Sequence, residues 1–246
     1  MTTDSVTYEV VDEIAVITLN RPDKRNAINN DIALGLRAAW ERLNAGTERV
    51  AILTHAGEHF SVGADVKAPP EDFPACVPNV GVRLEKPLIA AVSGWTVGGG
   101  LVMVEMADLC VAADTTRFLF PEAKVGFTGA LIAGLAARIP HKVAMELMLT
   151  GEELGAERAY QVGLVNKVVP PSQLRAAAMS YAQRLAENAP MVLSLLREFV
   201  SDVIPRGPAE HAARGRLSIG RVRQSADARE GVASFKEKRK PRFKGK

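Results

Sequence analysis

Residues 91–122, AVSGWTVGGGLVMVEMADLCVAADTTRFLFPE, decide how this chain is read. Gly98, Gly99 and Gly100 let the backbone approach a ligand closely, and the apolar run Leu101, Val102, Met103, Val104 can begin a helix whose first amides point at that ligand. A helix start of this kind favours developing negative charge. Downstream stands a lone carboxylate, Glu122, framed by the apolar residues Phe120 and Pro121. A second glycine turn, Ser61-Val62-Gly63-Ala64-Asp65, follows the apolar run 50–53 and can bring another amide to the same point. Two amide donors and one acid are the parts that enolate chemistry requires.

Working outward, Ile14–Leu19, residues 50–53 and Leu88–Val92 read as buried strands, and residues 31–43 as an amphipathic helix. Strand followed by helix, repeated, points to α/β architecture with parallel pairing. Residues 156–162, 174–188 and 190–203 supply further helices, punctuated by Pro170-Pro171 and by Pro205 and Pro208. Pro69, Pro70, Pro74 and Pro78 make residues 68–79 a stiff, irregular segment, read as a pocket wall.

At 246 residues and 47% hydrophobic content the chain can bury a substantial core. The start, MTTDSVTYEV, lacks the basic and apolar regions of a signal peptide, and uninterrupted apolar runs fall short of a membrane span, so the expectation is a cytoplasmic protein without a membrane partner. Cys76 and Cys110 have neither metal-ligand nor disulfide spacing, and Cys110 reads as core. His55, His59, His141 and His211 show no paired spacing for zinc, so no metal is expected. Ser61 and Ser93 lack the elbow of a hydrolase nucleophile. The net charge of +3 is a property of the end of the chain, where seven Lys or Arg among the last twelve residues leave the body slightly acidic. That end reads as a solvated, partly disordered tail. It comes without an aromatic platform or nucleic-acid motif, which argues against a nucleic-acid partner.

The same segments carry a resemblance. NRPDKRNAIN (20–29), HFSVGADVK (59–67), KPLIAAVSGWTVGGG (86–100), FPEAKVG (120–126), LTGEELGAERAYQVGLVNKVV (149–169) and FKEKRKPRFKG (235–245) occur in the order that marks the crotonase superfamily, the enoyl-CoA hydratases and isomerases, and the chain resembles it over nearly its whole length. The resemblance implies an α/β, crotonase-like spiral of β-β-α turns over residues 1–170, carrying the oxyanion hole and Glu122. A C-terminal helical region with a basic tail would follow over residues 171–246 and assemble trimers or hexamers.

The substrate so implied is an acyl-CoA thioester, with coenzyme A a part of it and no separate cofactor. The amides of Ala64 and Gly99 would form the oxyanion hole, with Gly63 and Gly98 shaping its turns, and Glu122 would move the proton. Lys24, Arg25 and Ala27 in the first loop, and Asp65, Val66 and Lys67 after the second turn, would border the coenzyme A path. Lys238 in the tail would reach the phosphates of a coenzyme A bound by a neighbouring subunit. Taken from the residues alone, Asp65 reads as a helix cap or loop-fixing residue, and the charges of Lys24, Arg25 and Lys67 as solvated.

One departure from the pattern matters most. Hydratases of this superfamily carry a second glutamate two residues after the glycine triplet, and this chain has Val102 there. Glu105 stands one helical turn on, but positions i and i+3 share a face only in part, and it reads first as a partner for an Arg or Lys elsewhere. One glutamate suffices to move a proton between carbons, so the expected reaction is double-bond migration. Hydration or dehydration tolerating Val102, and a non-catalytic acyl-CoA- or RNA-binding role, are the alternatives. The bulkier stretch 127–132, where the superfamily is glycine-rich, implies a reshaped acyl pocket.

Overall fold

The computed structural model describes residues 5–246. In chain order the first half runs β1 (Val6–Val11), β2 (Ile14–Leu19), α1 (Asn30–Ala45), β3 (Val50–His55), α2 (Phe73–Cys76), β4 (Leu88–Val92), β5 (Trp95–Val97), α3 (Gly99–Glu105), β6 (Leu109–Ala113), β7 (Arg117–Leu119) and α4 (Glu122–Val125). After a 3-10 segment, Leu131–Ala137, come α5 (His141–Thr150), β8 (Leu154–Gly155), α6 (Ala156–Gln161), β9 (Lys167–Val169), α7 (Leu174–Ala186), α8 (Pro190–Val203), α9 (Pro208–Arg223) and α10 (Ala226–Lys236).

Among the described residues six strands form one sheet in the order β1-β2-β3-β4-β6-β9, and three form a smaller one, β5-β7-β8. β1 and β2 are an antiparallel hairpin, while β2, β3, β4, β6 and β9 pair in parallel. The chain therefore alternates between the sheets: β4-β5-α3 and β6-β7-α4 are successive β-β-α turns of a spiral, the repeat being structural where the sequence shows none.

Both faces of the inner strands β2, β3, β4 and β6 are covered, which is why these read as largely apolar runs, whereas the edge strand β1, VTYEVV, is mostly exposed. Ala15, Ile17, Leu19, Leu53 and Val92 face Ile32, Leu36, Trp40 and Leu43 of α1 and the apolar side of α3. The alternate residues Ile14, Val50, Ile52, Ile89, Ala91 and Val111 face Leu174, Ala177, Ala178 and Ala182 of α7. Full burial of one such large side chain contributes about 1.5–3 kcal/mol, so the two layers hold the spiral without help from the surface ion pairs. α1 begins where Asn29 accepts a hydrogen bond from the Ile32 amide.

The proline-rich segment contains the short helix α2, and its Cys76 is fully buried, with the Trp40 indole N–H donating to the Cys76 carbonyl at 2.8 Å. Cys110 lies in the core as expected. The basic tail is not the partly disordered segment that its composition suggests. It folds back on α10, where Asp227 and Glu230 lie on one helical face: Arg239 makes a bidentate pair with Glu230, at 2.6 and 3.0 Å, and Asp227 accepts from the Lys244 and Gly245 amides. Among the described residues no helix is long and apolar enough to cross a membrane.

Candidate active site

Three chain segments leave the small sheet side by side. Ser61 pairs with Thr96 as an isolated parallel bridge, and Thr96 in β5 pairs in parallel with Phe118 in β7. The Val97 amide donates to the Ser61 carbonyl at 2.9 Å and the Gly98 amide to the Leu119 carbonyl at 3.0 Å. Because the pairing is parallel, all three segments run off the same end of the sheet. Residues 64, 99 and 122 then follow at nearly equal offsets from these rungs, which brings Ala64, Gly99 and Glu122 to one end of the spiral.

The two glycine turns meet backbone to backbone. Gly63 has φ +89° and Gly98 φ +51°, conformations that side chains rarely adopt. A methyl group on Gly63 would stand 3.1 Å from the Val97 carbonyl oxygen and 3.7 Å from the Gly99 nitrogen. The Ile28 amide donates to the Gly63 carbonyl and the Asp65 amide to the Ile28 carbonyl, so the Ala64 amide between them is skipped by the ladder. Gly99 is the first residue of α3, where the backbone amide has no partner inside the helix. Among the described residues neither amide has an acceptor, and a pair of free donors of this kind is suited to an oxyanion. The Phe73 ring and the Ile28 side chain crowd the Gly99 Cα, so the proline-rich segment does wall the site.

Glu122 opens the four-residue α4 and is half-buried. Its Oε2 accepts from the Gly129 amide at 3.1 Å. Burial raises its pKa, and hydrogen bonds from the Thr128 hydroxyl and the Gly129 amide pull it back. The stretch that looked merely bulkier in the sequence thus contains the groups that hold this carboxylate. Thr128→Val removes one bond to the charged form, so the Glu122 pKa should rise further and the acid limb of a pH–rate profile move to higher pH. An unmoved limb would mean that Thr128 does not act on this group.

Val102 is buried in the core on α3, one turn after Gly99. Glu105, the last residue of α3, does not reach back towards Gly99: its side chain is fully buried and pairs with Arg138 at 3.0 Å. Burial pushes its carboxyl above the ordinary carboxylate range, with Arg138 opposing the rise and Glu210 adding to it. Asp65 fixes its loop, accepting from Arg21 at 2.7 Å and from the Lys67 amide at 3.0 Å, and the Arg21 hydrogen bond leads the causes that hold its pKa below the usual value. Arg21 also donates to the Ala27 carbonyl. The sequence alone did not single out Arg21, since its partner is distant in the chain. Ala27 is buried beneath the first loop, while Lys24, Arg25, Val66 and Lys67 are exposed around it. Lys238 is exposed in the tail that folds on α10.

A cavity of about 950 Å³ opens elsewhere, lined by residues that include His55, Ser93, Trp95 and Arg117. His55 Nε2 accepts from the Ser93 amide at 3.1 Å, burial lowers the ring's pKa to about 4, and the Ser93 hydroxyl donates to the Glu58 carbonyl at 3.0 Å. Among the described residues no three His, Cys, Asp or Glu gather as a metal site would need.

The family model for enoyl-CoA hydratase/isomerase matches residues 9–246. The (E)-benzylidenesuccinyl-CoA hydratase of Thauera aromatica is 36% identical over 98% of this chain and 99% of its own. The carnitinyl-CoA dehydratase of Escherichia coli K12 is 37% identical over 95% of each. The crystal structure of an enoyl-CoA hydratase from Mycobacterium tuberculosis H37Rv superposes with a TM-score of 0.77, at 35% identity, over 99% of this chain and 100% of that one. With its β-β-α spiral, its helical C-terminal region and a match along almost the whole sequence, the chain is a member of the enoyl-CoA hydratase/isomerase family, in the crotonase superfamily.

Proposed function

We propose that the protein forms and reprotonates the enolate of an acyl-CoA thioester, with the Ala64 and Gly99 amides holding the thioester oxygen and Glu122 as the one proton-transfer group. The reaction is migration of an enoyl double bond: Glu122 takes a proton from one carbon and returns it to another. The observation that carries this reading is Val102, an apolar buried side chain on the first turns of α3, where a second carboxylate would be needed to hold water. Excluding water also protects a dienolate from side reactions. The first loop, with Lys24 and Arg25, and Lys67 after the second turn supply cations for the coenzyme A phosphates.

Val102→Glu tests the role of that position. It should confer hydration on a short 2-enoyl-CoA, with a pH dependence set by two carboxylates that raise one another's pKa. A variant that folds and still does not hydrate would remove Val102 as the determinant. The second reading, hydration or dehydration, is favoured by the names of the relatives, which are hydratases and a dehydratase.

The site works in an assembly of three subunits or two sets of three. All of α8 is at least partly exposed, and Met191, Val192, Leu195, Leu196, Phe199, Val200 and Val203 form an apolar stripe at helical spacing. Light scattering should give three or six times the 26.4 kDa of the chain, and Phe199→Asp with Val203→Asp should lower it. A monomer in the unmutated protein contradicts this assembly.

A further inference from the structure

The buried pair at the far end of α3 has a geometry that surface ion pairs lack. Arg138 Nη1 donates to Glu105 Oε1 at 3.0 Å and to the Gly134 carbonyl at 2.8 Å, while Nη2 reaches the Met106 sulfur at 3.8 Å. Gly134 is the residue that makes room: a methyl group there would stand 2.5 Å from Arg138 Nη1 and 2.6 Å from Glu105 Oε1. The pair lines a cavity of about 760 Å³ that also takes in Arg206, Glu210 and Arg214. Glu210 on α9 is buried and paired with Arg206 at 3.1 Å, and Oε2 of both glutamates is buried without a partner among the described residues.

The elements so joined are the two arms of the candidate site. α3 begins at Gly99 and ends at Glu105, so a shift of Glu105 is passed along seven helical residues to the Gly99 amide. The 3-10 segment Leu131–Ala137 packs on α3 and directly follows the loop whose Gly129 amide holds Glu122. Residues 123–129 are exposed throughout, so the position of Glu122 depends on how the segment behind them is anchored. Leu131, Ile132 and Leu135 set it in the core, α5 and α9 pack on it as well, and the Arg138–Glu105 pair ties its end to α3. Apolar burial is non-directional, whereas a guanidinium held between a carboxylate and a carbonyl adds a directional contact that favours one register.

We propose that Glu105 and Arg138 are positioning residues, a buried strut that keeps the Glu122 arm in register with the Gly99 amide. This rests on the proton-transfer reading of the site. Neither residue touches the substrate; each acts through the segment that it holds.

The test is the double variant Glu105→Leu/Arg138→Met, since replacing a buried ion pair by apolar residues of similar volume often restores stability where either single change leaves an unpaired charge. The expected result is a melting temperature near that of the unmutated protein and a KM within about twofold, but kcat lower by about tenfold or more, as small misplacements of reacting groups cost rate. Recovery of kcat together with stability would reduce the pair to a fold contact and overturn the proposal. Should the double variant remain unstable, Glu105→Gln measured below its transition decides instead: a fall in kcat at unchanged KM supports the strut, and no fall, or a change in KM alone, overturns it. Amide hydrogen exchange of residues 99–105 and 131–138 gives a readout independent of turnover. Arg138→Met should loosen both segments together, and loosening of one or neither overturns the strut. If the unmutated protein turns over no enoyl-CoA at all, the function proposed above fails, and this exchange measurement alone decides the strut.

Discussion

Glu122→Gln should lower proton exchange at the substrate α-carbon by about 10²- to 10⁴-fold, the usual contribution of a positioned acid–base group. The amide side chain has nearly the shape of the carboxylate and can still accept from the Gly129 amide, so the loop 123–130 need not rearrange. What it loses is the ability to take a proton. Coenzyme A binding, proposed above for the loops around Lys24, Arg25 and Lys67, should stay within about twofold, so that the loss is confined to the transition state. Exchange at the unmutated rate would remove Glu122 from the mechanism. An equal loss of affinity would make it a binding residue.

The second large effect is expected from the other arm. Ala64→Pro deletes one N–H donor and puts a ring methylene in its place beside the Gly63 turn, so it both removes the donor and fills the space in front of it, while the acceptors of the neighbouring Ile28–Gly63 and Asp65–Ile28 hydrogen bonds are kept. Ala64 is exposed, so the proline ring meets no packed core. Loss of one oxyanion-hole donor costs about 10²–10³ in kcat in acyl-transfer enzymes, and an effect of about that size is expected here. Ala64→Gly keeps the donor and serves as the control, expected to retain activity within a few fold on that account. If both substitutions reduce activity equally, the backbone turn rather than its N–H is what the reaction needs.

Much of this site could be read from the chain. Alone, a glycine triplet reads as tight packing; it is the resemblance that marks the Ala64 and Gly99 amides, and the structure brings both turns to the end of the sheet where Glu122 stands. The strands Ile14–Leu19 and Leu88–Val92 were readable to the residue, since burial on two faces leaves a run that is apolar apart from Thr18. β5, β7 and β8 were not. At two or three residues they carry no period, and they exist because neighbouring turns of the spiral pair with them.

Side-chain partners were harder to foresee for a related reason. Asp65 could be recognised as a loop-fixing residue from its place after the turn, but Arg21 lies 44 positions upstream, and such a distance leaves no local signal. Glu105 could be expected to need a cation, whereas only the packing of the 3-10 segment on α3 identifies Arg138. The tail misled in the opposite sense: its charges suggest repulsion and disorder, yet Asp227 and Glu230 sit where the returning backbone and Arg239 can use them.

The measurement that bears most directly on the whole account is a spectrophotometric screen of the unmutated protein against 2-enoyl- and 3-enoyl-CoA thioesters of graded length. The proposed reading, with Glu122 as the single acid and an apolar Val102 on α3, predicts that a 3-enoyl-CoA is converted to its conjugated 2-enoyl isomer while crotonyl-CoA is hydrated slowly or not at all. Hydration of crotonyl-CoA near the median enzyme turnover of roughly 10 per second, without migration of the double bond in any 3-enoyl substrate, would contradict it.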